Sequence, residues 1–267
     1  MSAISCSSVY KPQEVFRPPH LSRTSPNCTS SSPQRLVQHK HCPSASSSSS
    51  IRDRHAYTHL PTQGWYLPEA AHPYYVLAPK YDIDFAAPGG PNPPVDAGSV
   101  AAFQADVPKF LEDPVVKAKL ASAKKLSDVN VADYDAVFYP GGHGPVLDLA
   151  TDPVNVKLAS DFFRAGKVTA AVCHGPAALV GATDANGDSI LKGRRATAFS
   201  DAEEEAVNKV KDVPFLVEAR IKELGGTYEK AAELWGVTVV VDGILITGQN
   251  PASAHPIGEA IDKALSA

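Results

Sequence analysis

Val168-Thr-Ala-Ala-Val-Cys173-His-Gly-Pro176 is an apolar run that stops at a thiol and passes at once into a Gly-Pro turn. Its small and β-branched residues suit a strand buried on both faces, and the Gly-Pro-Ala that follows suits the first turn of a helix. A buried strand ending in a reactive side chain and turning directly into a helix is a nucleophile elbow. The side chain then stands above the carboxyl edge of the sheet, where α/β proteins bind ligands. At a helix N-terminus Cys173 is expected to gain thiolate character from the dipole and the free amides. A solitary cysteine in a strand is ordinarily a buried structural residue; the His174-Gly175-Pro176 that follows this one argues for chemistry instead.

Working outward, the flanking segments repeat the pattern of strand and helix. Asp82-Ile-Asp-Phe-Ala86 reads as a strand, Pro88 to Pro94 as a surface loop, Pro114 to Lys125 as a helix, and Asp135-Ala-Val-Phe-Tyr139 as a strand running into Pro140-Gly-Gly-His-Gly144. Pro153 to Ala165 is amphipathic, Arg195 to Phe199 gives a short strand, Val213 to Leu224 a helix, Val237 to Val241 and Ile244 to Thr247 two strands around Asp242-Gly243, and Pro251 to Leu265 a last helix. Strands alternating with helices make a mostly parallel sheet covered on both faces, so the fold class is α/β.

Composition divides the 267 residues in two. Residues 1–60 are rich in Ser and Pro, carry a net charge of +5 and hold Cys6, Cys28 and Cys42; the remaining residues carry −9 and a single thiol, Cys173. The first segment has no apolar period and is expected to be a disordered extension or a mis-assigned start, with residues 61–267 as the globular domain. A Ser-rich, acid-poor start also suits mitochondrial targeting, but the prolines oppose a long amphipathic helix, and a cytoplasmic location is the expectation. A lone thiol fits a reducing compartment. No apolar run approaches the ~18 residues of a membrane span, and the overall charge of −4 provides no basic field for nucleic acid.

A thiolate needs an oxyanion site and proton carriers. The glycines of Pro140 to Gly144 let backbone amides approach a bound carbonyl, and the Gly142 and His174 amides are the expected pair. His174 needs an orienting carboxylate, and Asp201, Glu203, Glu204 and Glu205 stand at the end of the next strand. Glu69, early in a helix beside Trp65, Tyr66 and Leu67, is a candidate for a desolvated acid. His72, His143 and His255 stand apart from these motifs and read as structural or solvent-facing. No spacing suggests a metal, and no glycine motif suggests a nucleotide cofactor.

Six blocks in order resemble the PfpI and parkinsonism-associated deglycase superfamily: Gly64-Trp-Tyr-Leu-Pro-Glu69, Asp82 to Pro88, Tyr139 to Gly144, Ala171 to Pro176, Ala198-Phe-Ser-Asp201 and Thr247 to Ser253. The resemblance implies a class I glutamine amidotransferase-like, flavodoxin-like three-layer sandwich, nearest to the glutathione-independent glyoxalases (glyoxalase III) with associated chaperone activity. It implies Cys173 as nucleophile, His174 and Glu204 as its triad partners and Glu69 as a protonated acid on the thiolate. The implied reaction is that of a D-lactate dehydratase-type lyase, turning methylglyoxal or a similar 2-oxoaldehyde into lactate without cofactor, in a chain that could pair as a homodimer. A stress chaperone or redox sensor, or a deglycase or peptidase on the same cysteine, are the alternatives. The resemblance also asks for a continuous apolar strand just before Gly64, and Ile51 to Leu60 is not such a strand.

Overall fold

The computed structural model describes residues 7–12 and 64–267, all within one compact unit. In chain order the elements are β1 (Ser7–Pro12), α1 (Leu67–Leu77), β2 (Tyr81–Ala87), α2 (Ala97–Ala102), α3 (Pro114–Ala121), β3 (Lys124–Lys125), β4 (Ala136–Tyr139), α4 (Gly144–Leu147) and α5 (Pro153–Arg164). There follow β5 (Val168–Val172), β6 (Arg195–Ala196), α6 (Asp201–Ala206), α7 (Val217–Glu223), β7 (Thr227–Tyr228), β8 (Val239–Asp242), β9 (Leu245–Gly248) and α8 (Ala254–Leu265).

Seven strands form the main sheet in the order β3-β2-β1-β4-β5-β9-β8. The β2–β3, β4–β5 and β5–β9 pairs are parallel, and β8 turns back antiparallel on β9 through Asp242-Gly243, where Gly243 has φ +61°. Alternate residues of the same strands feed two cores. Val137, Tyr139, Ala171 and Leu245 pack with Leu158 and Phe162 of α5 and Val217 and Ile221 of α7. Ala136, Phe138, Ala170, Val172 and Ile246 pack with Leu67 and Tyr74 of α1 and Ile257 and Ile261 of α8. Strands buried on both faces explain their unbroken apolar sequence, and the result is the expected three-layer, flavodoxin-like α/β sandwich.

Three differences from the sequence reading have physical causes. Ser7–Pro12 lies in the segment expected to be without structure, yet its backbone forms β1, antiparallel to both β2 and β4, with Val9 opposite Asp84 on one side and Val137 on the other. A strand here closes the ladder between two central strands whose N–H and C=O groups would otherwise be open. The rest of residues 1–60, including the Ile51 to Leu60 stretch, lies outside the described residues. Second, Arg195 to Phe199 does not join the main sheet: only Arg195 and Ala196 are a strand, paired with β7 in a separate two-stranded sheet. The chain leaves that ladder so that the Phe199 amide can bond the Cys173 carbonyl at 2.8 Å. Third, the elbow runs into a single short 3₁₀ segment, Gly175–Leu179, rather than a full helix.

Candidate active site

Cys173 stands where β5 ends, with its amide on the Gly248 carbonyl at 2.9 Å and φ at +59°. A left-handed backbone at a residue with a side chain is strained, and here the strain throws the thiol clear of the strand. The tight return is possible because residue 175 is glycine: a Cβ there would lie 2.1 Å from the Tyr139 carbonyl oxygen.

Three segments converge on the sulfur. Glu69 comes from the first turn of α1, is fully buried, and accepts the Gly141 amide at 2.9 Å through Oε2. Its position against the elbow shows in Gly141, where a Cβ would be 2.4 Å from Glu69 Oε2 and 2.7 Å from Cys173 Cβ. Burial pushes the Glu69 carboxyl up to about 8, against the opposing effect of its bonds with Cys173 and the Gly141 amide. The acid is therefore protonated at neutral pH and hydrogen-bonds the Cys173 side chain, while its Oε1 receives no donor. The loop from Pro140 to Gly144 brings the Gly142 amide to the sulfur from the second side, and the His174 amide reaches it from the third. Gly142 has φ +90° and lies so close to the chain before α1 that a Cβ would be 2.3 Å from the Gly64 carbonyl oxygen.

The thiol itself departs from expectation. Burial pushes Cys173 well above the ordinary thiol range, charge on Glu69 would push it further, and the amides of His174 and Gly142 pull only part of the way back. One 3₁₀ turn carries little dipole. The base that can take the thiol proton is already in contact: His174 Nδ1 lies 3.3 Å from Sγ.

Behind His174 stands Glu204. Ser200 caps α6 in a capping box with Glu203, and this sets the helix so that Glu204 accepts His174 Nε2 at 2.5 Å. Among the four acids left open by the sequence, Glu204 is the one that meets His174. Glu203 is equally buried but points to Ser200, Gln249, Asn250 and the Trp235 amide, Glu205 is exposed, and Asp201 sits near Glu218. Burial opposes the charge on Glu204, but hydrogen bonds from two histidines outweigh it and hold the carboxyl at about 2. The second of these is His143, whose Nε2 lies 2.8 Å from Glu204 Oε1. The sequence reading set His143 aside as isolated. Its partners lie 31 and 61 positions away along the chain, so spacing held no sign of them; its place directly after Gly142 was the one available signal. His72 pairs with Asp106 and His255 with Glu259, both away from the elbow.

A cavity of about 430 Å³ opens over Cys173, walled by Tyr66, Phe199, Val207, Trp235, Lys209 and His143. Donor atoms of His143, His174 and Glu204 all lie within 4.8 Å of one another, a spacing that could also hold a divalent cation. Both Glu204 oxygens are already satisfied by imidazole N–H groups, so the cluster is complete as a hydrogen-bonded network.

An α/β sheet that presents a thiol on a strained elbow, with imidazole, carboxylate and buried acid around it, belongs to the flavodoxin-like class of cysteine-centred proteins. Comparison with known proteins narrows this. The model of the DJ-1/PfpI family matches residues 113–263, and the chain belongs to that family. It is 31% identical over 208 residues to glyoxalase 3 of Candida albicans, covering 74% of this chain and 88% of that one. It is also 31% identical over 202 residues to the glutathione-independent glyoxalase HSP31 of Saccharomyces cerevisiae, covering 72% and 85%. The crystal structure of glyoxalase III from Candida albicans superposes with a TM-score of 0.65 at 28% identity, over 75% of this chain and 87% of that one. The Francisella tularensis Rapid Encystment Protein of 24 kDa superposes with a TM-score of 0.70 at 36% identity, over 75% and 89%.

Proposed function

We propose that the chain is a glutathione-independent glyoxalase of the D-lactate dehydratase type, a hydro-lyase in the reverse sense, acting on methylglyoxal. The observation that carries the reading is the set of partners on one sulfur: a base at 3.3 Å, a buried acid held protonated to about pH 8, and two backbone amides.

The geometry supports the following sequence. Sγ–H gives its proton to His174 Nδ1 as sulfur attacks the aldehyde carbon C1, and the new oxyanion falls between the Gly142 and His174 amides. His174, with Glu204 stabilising its charge, returns the proton to that oxygen and leaves a hemithioacetal. Glu69 and His174 then move the proton on C1 to C2 through an enediol, which turns the aldehyde carbon into a thioester and the ketone into an alcohol. Water cleaves the thioester and restores the thiol. Methylglyoxal and one water give one lactate, with no net oxidant and no glutathione.

Every site residue lies between Glu69 and Glu204, on the sheet that β1 completes, so the activity belongs to the compact unit formed by β1 and the chain from Gly64 onward. A lone free cysteine among the described residues suits a cytoplasmic setting, and no helix among them is long and apolar enough to cross a membrane. The test is lactate release from methylglyoxal. Cys173→Ala is expected to abolish turnover and Glu69→Gln to lower it by roughly 10²–10⁴-fold. Lactate release that survives Cys173→Ala would refute the covalent route. If that variant still suppresses aggregation of a client protein, a holdase role runs independently of the chemistry.

A further inference from the structure

The reaction proposed above leaves one proton transfer without a carrier. Converting the hemithioacetal to the thioester moves one hydrogen from C1 to C2 and a second from the C1 oxygen to the C2 oxygen. Glu69 and His174 account for the first.

His143 is placed for the second. Glu204 is an ionised carboxylate and can only accept hydrogen bonds, so His143 and His174 each donate through Nε2, at 2.8 and 2.5 Å, to its two oxygens. When both rings are neutral, both therefore carry a bare Nδ1. That of His174 faces Cys173. That of His143 has no partner among the described residues, and the ring forms part of the cavity wall. The two imidazoles are in contact at a tilt, with centroids 4.2 Å apart and planes inclined by 41°. His143 also follows Gly142, whose amide reaches the sulfur, so the ring stands beside the place where the substrate oxygens must lie.

We propose that His143 is a further catalytic residue, which takes the proton from the C1 oxygen on Nδ1 and delivers it to the C2 oxygen, and which is coupled to His174 through the carboxylate they share. The proposal rests on the glyoxalase reading for its substrate, but the coupling does not. One carboxylate supports one imidazolium well and two poorly, so a proton on either ring opposes a proton on the other. The lowering of His174, caused first by burial and then by His143, has this sense. The other ionisable groups facing the site are Cys173 and Glu69 at the elbow, Glu203 on α6, and Tyr66, Asp96 and Lys209 across the cavity; Lys209 is engaged with Asp212 at 2.8 Å.

The variant is His143→Gln, whose amide can keep the donor to Glu204 but carries no titrating proton. Two measurements are made on the full chain: steady-state turnover of methylglyoxal against pH, and the rate at which iodoacetamide alkylates Cys173 against pH. We expect kcat to fall at least 30-fold with KM within threefold, and the kcat profile to lose one inflection. We expect alkylation to become faster at each pH below 8, because His174 then takes the thiol proton without a competing imidazole. A merely structural histidine gives the opposite sign, since a loosened site moves His174 away from the sulfur and slows alkylation. Turnover within threefold of the parent with an unchanged profile would overturn the proposal, as would slower or unchanged alkylation. Should the parent chain fail to turn over methylglyoxal, the glyoxalase reading falls, and the alkylation profile still decides whether the two rings are coupled.

Discussion

Glu69 shows how one side chain ties stability to chemistry. Its carboxyl is raised from 4.5 to about 8 by complete burial, so the folded state holds a proton that the unfolded chain releases near pH 4.5. A folded pKa above the unfolded one gives a contribution that is fully present below about pH 4.5 and is lost as the pH rises toward 8. Glu69→Gln keeps the shape and the acceptor for the Gly141 amide but has no ionisation to suppress. It is expected to be more stable than the parent by on the order of 2–3 kcal/mol at pH 7 and nearly equal to it at pH 4.5, while losing turnover. Urea midpoints at the two pH values check this, and an advantage independent of pH would contradict the ionisation cost. The sequence showed Glu69, Cys173, His174 and Gly142 because each sits in a local motif whose chemistry is written in adjacent residues. The upward push of burial on the thiol was not legible, because burial at the elbow depends on what the fold stacks over it: Phe199 and Tyr66 arrive from segments far away in the chain. His143 escaped for the same reason.

Helix α6 is a six-residue element that does two tasks with consecutive glutamates. Glu204 faces the imidazoles. Glu203 accepts five bonds, from the Ser200 amide and hydroxyl, Gln249 Nε2, Asn250 Nδ2 and the Trp235 amide. All five partners are donors, and only a carboxylate can satisfy them all. Glu203→Gln places an NH₂ group among donors and is expected to cost about 2–3 kcal/mol. It should also loosen both Glu204 and the Trp235 wall of the cavity, lowering kcat and raising KM together. Glu205→Gln, on the exposed side of the same turn, is expected to change neither by more than ~0.5 kcal/mol. Thermal melts and methylglyoxal kinetics on the pair check the assignment; equal effects would contradict it. At this scale the sequence was informative about type and weak about ends. The run of three acids after Ser200 marked a helix start, but which of them turned inward depended on the register set by the Ser200 cap. The strand Val168–Val172 was plain from its apolar run, whereas Arg195 to Phe199, equally short, was diverted by its bonds to Thr247 and Cys173.

For the whole molecule, the site depends on the spacing of β4 and β5, because Gly142 and His143 hang from the end of one strand and Cys173 from the end of the other. What fixes β4 on its far side is β1, bonded along Ser8, Val9 and Tyr10 to Phe138, Val137 and Ala136, and along its other edge to β2. The sequence offered no sign of this strand: Ser7-Ser-Val-Tyr-Lys-Pro12 has neither the length nor the apolar content of a central strand and lies in a Ser/Pro-rich segment. The alternation of strands and helices from Asp82 onward is local information, but the partner that closes the gap between β2 and β4 comes from some seventy residues earlier, and only the open ladder groups call for it. Val9 is the middle of the three positions paired with both neighbours, opposite Asp84 and Val137. A proline there removes the backbone donor and clashes with the pleat, so Val9→Pro is expected to cost about 3 kcal/mol or more. Hydrogen exchange locates the effect: amides of Ile83 to Phe85 and of Val137 and Phe138 should lose protection, while those of Ala170 to Val172, held between β4 and β9, should lose less. Methylglyoxal turnover should fall with it, because a shifted β4 carries the Gly142 amide and His143 away from the sulfur. Unchanged protection along β2 and β4 would mean that residues 7–12 do not close the sheet, and would return the whole N-terminal segment to the role of an extension.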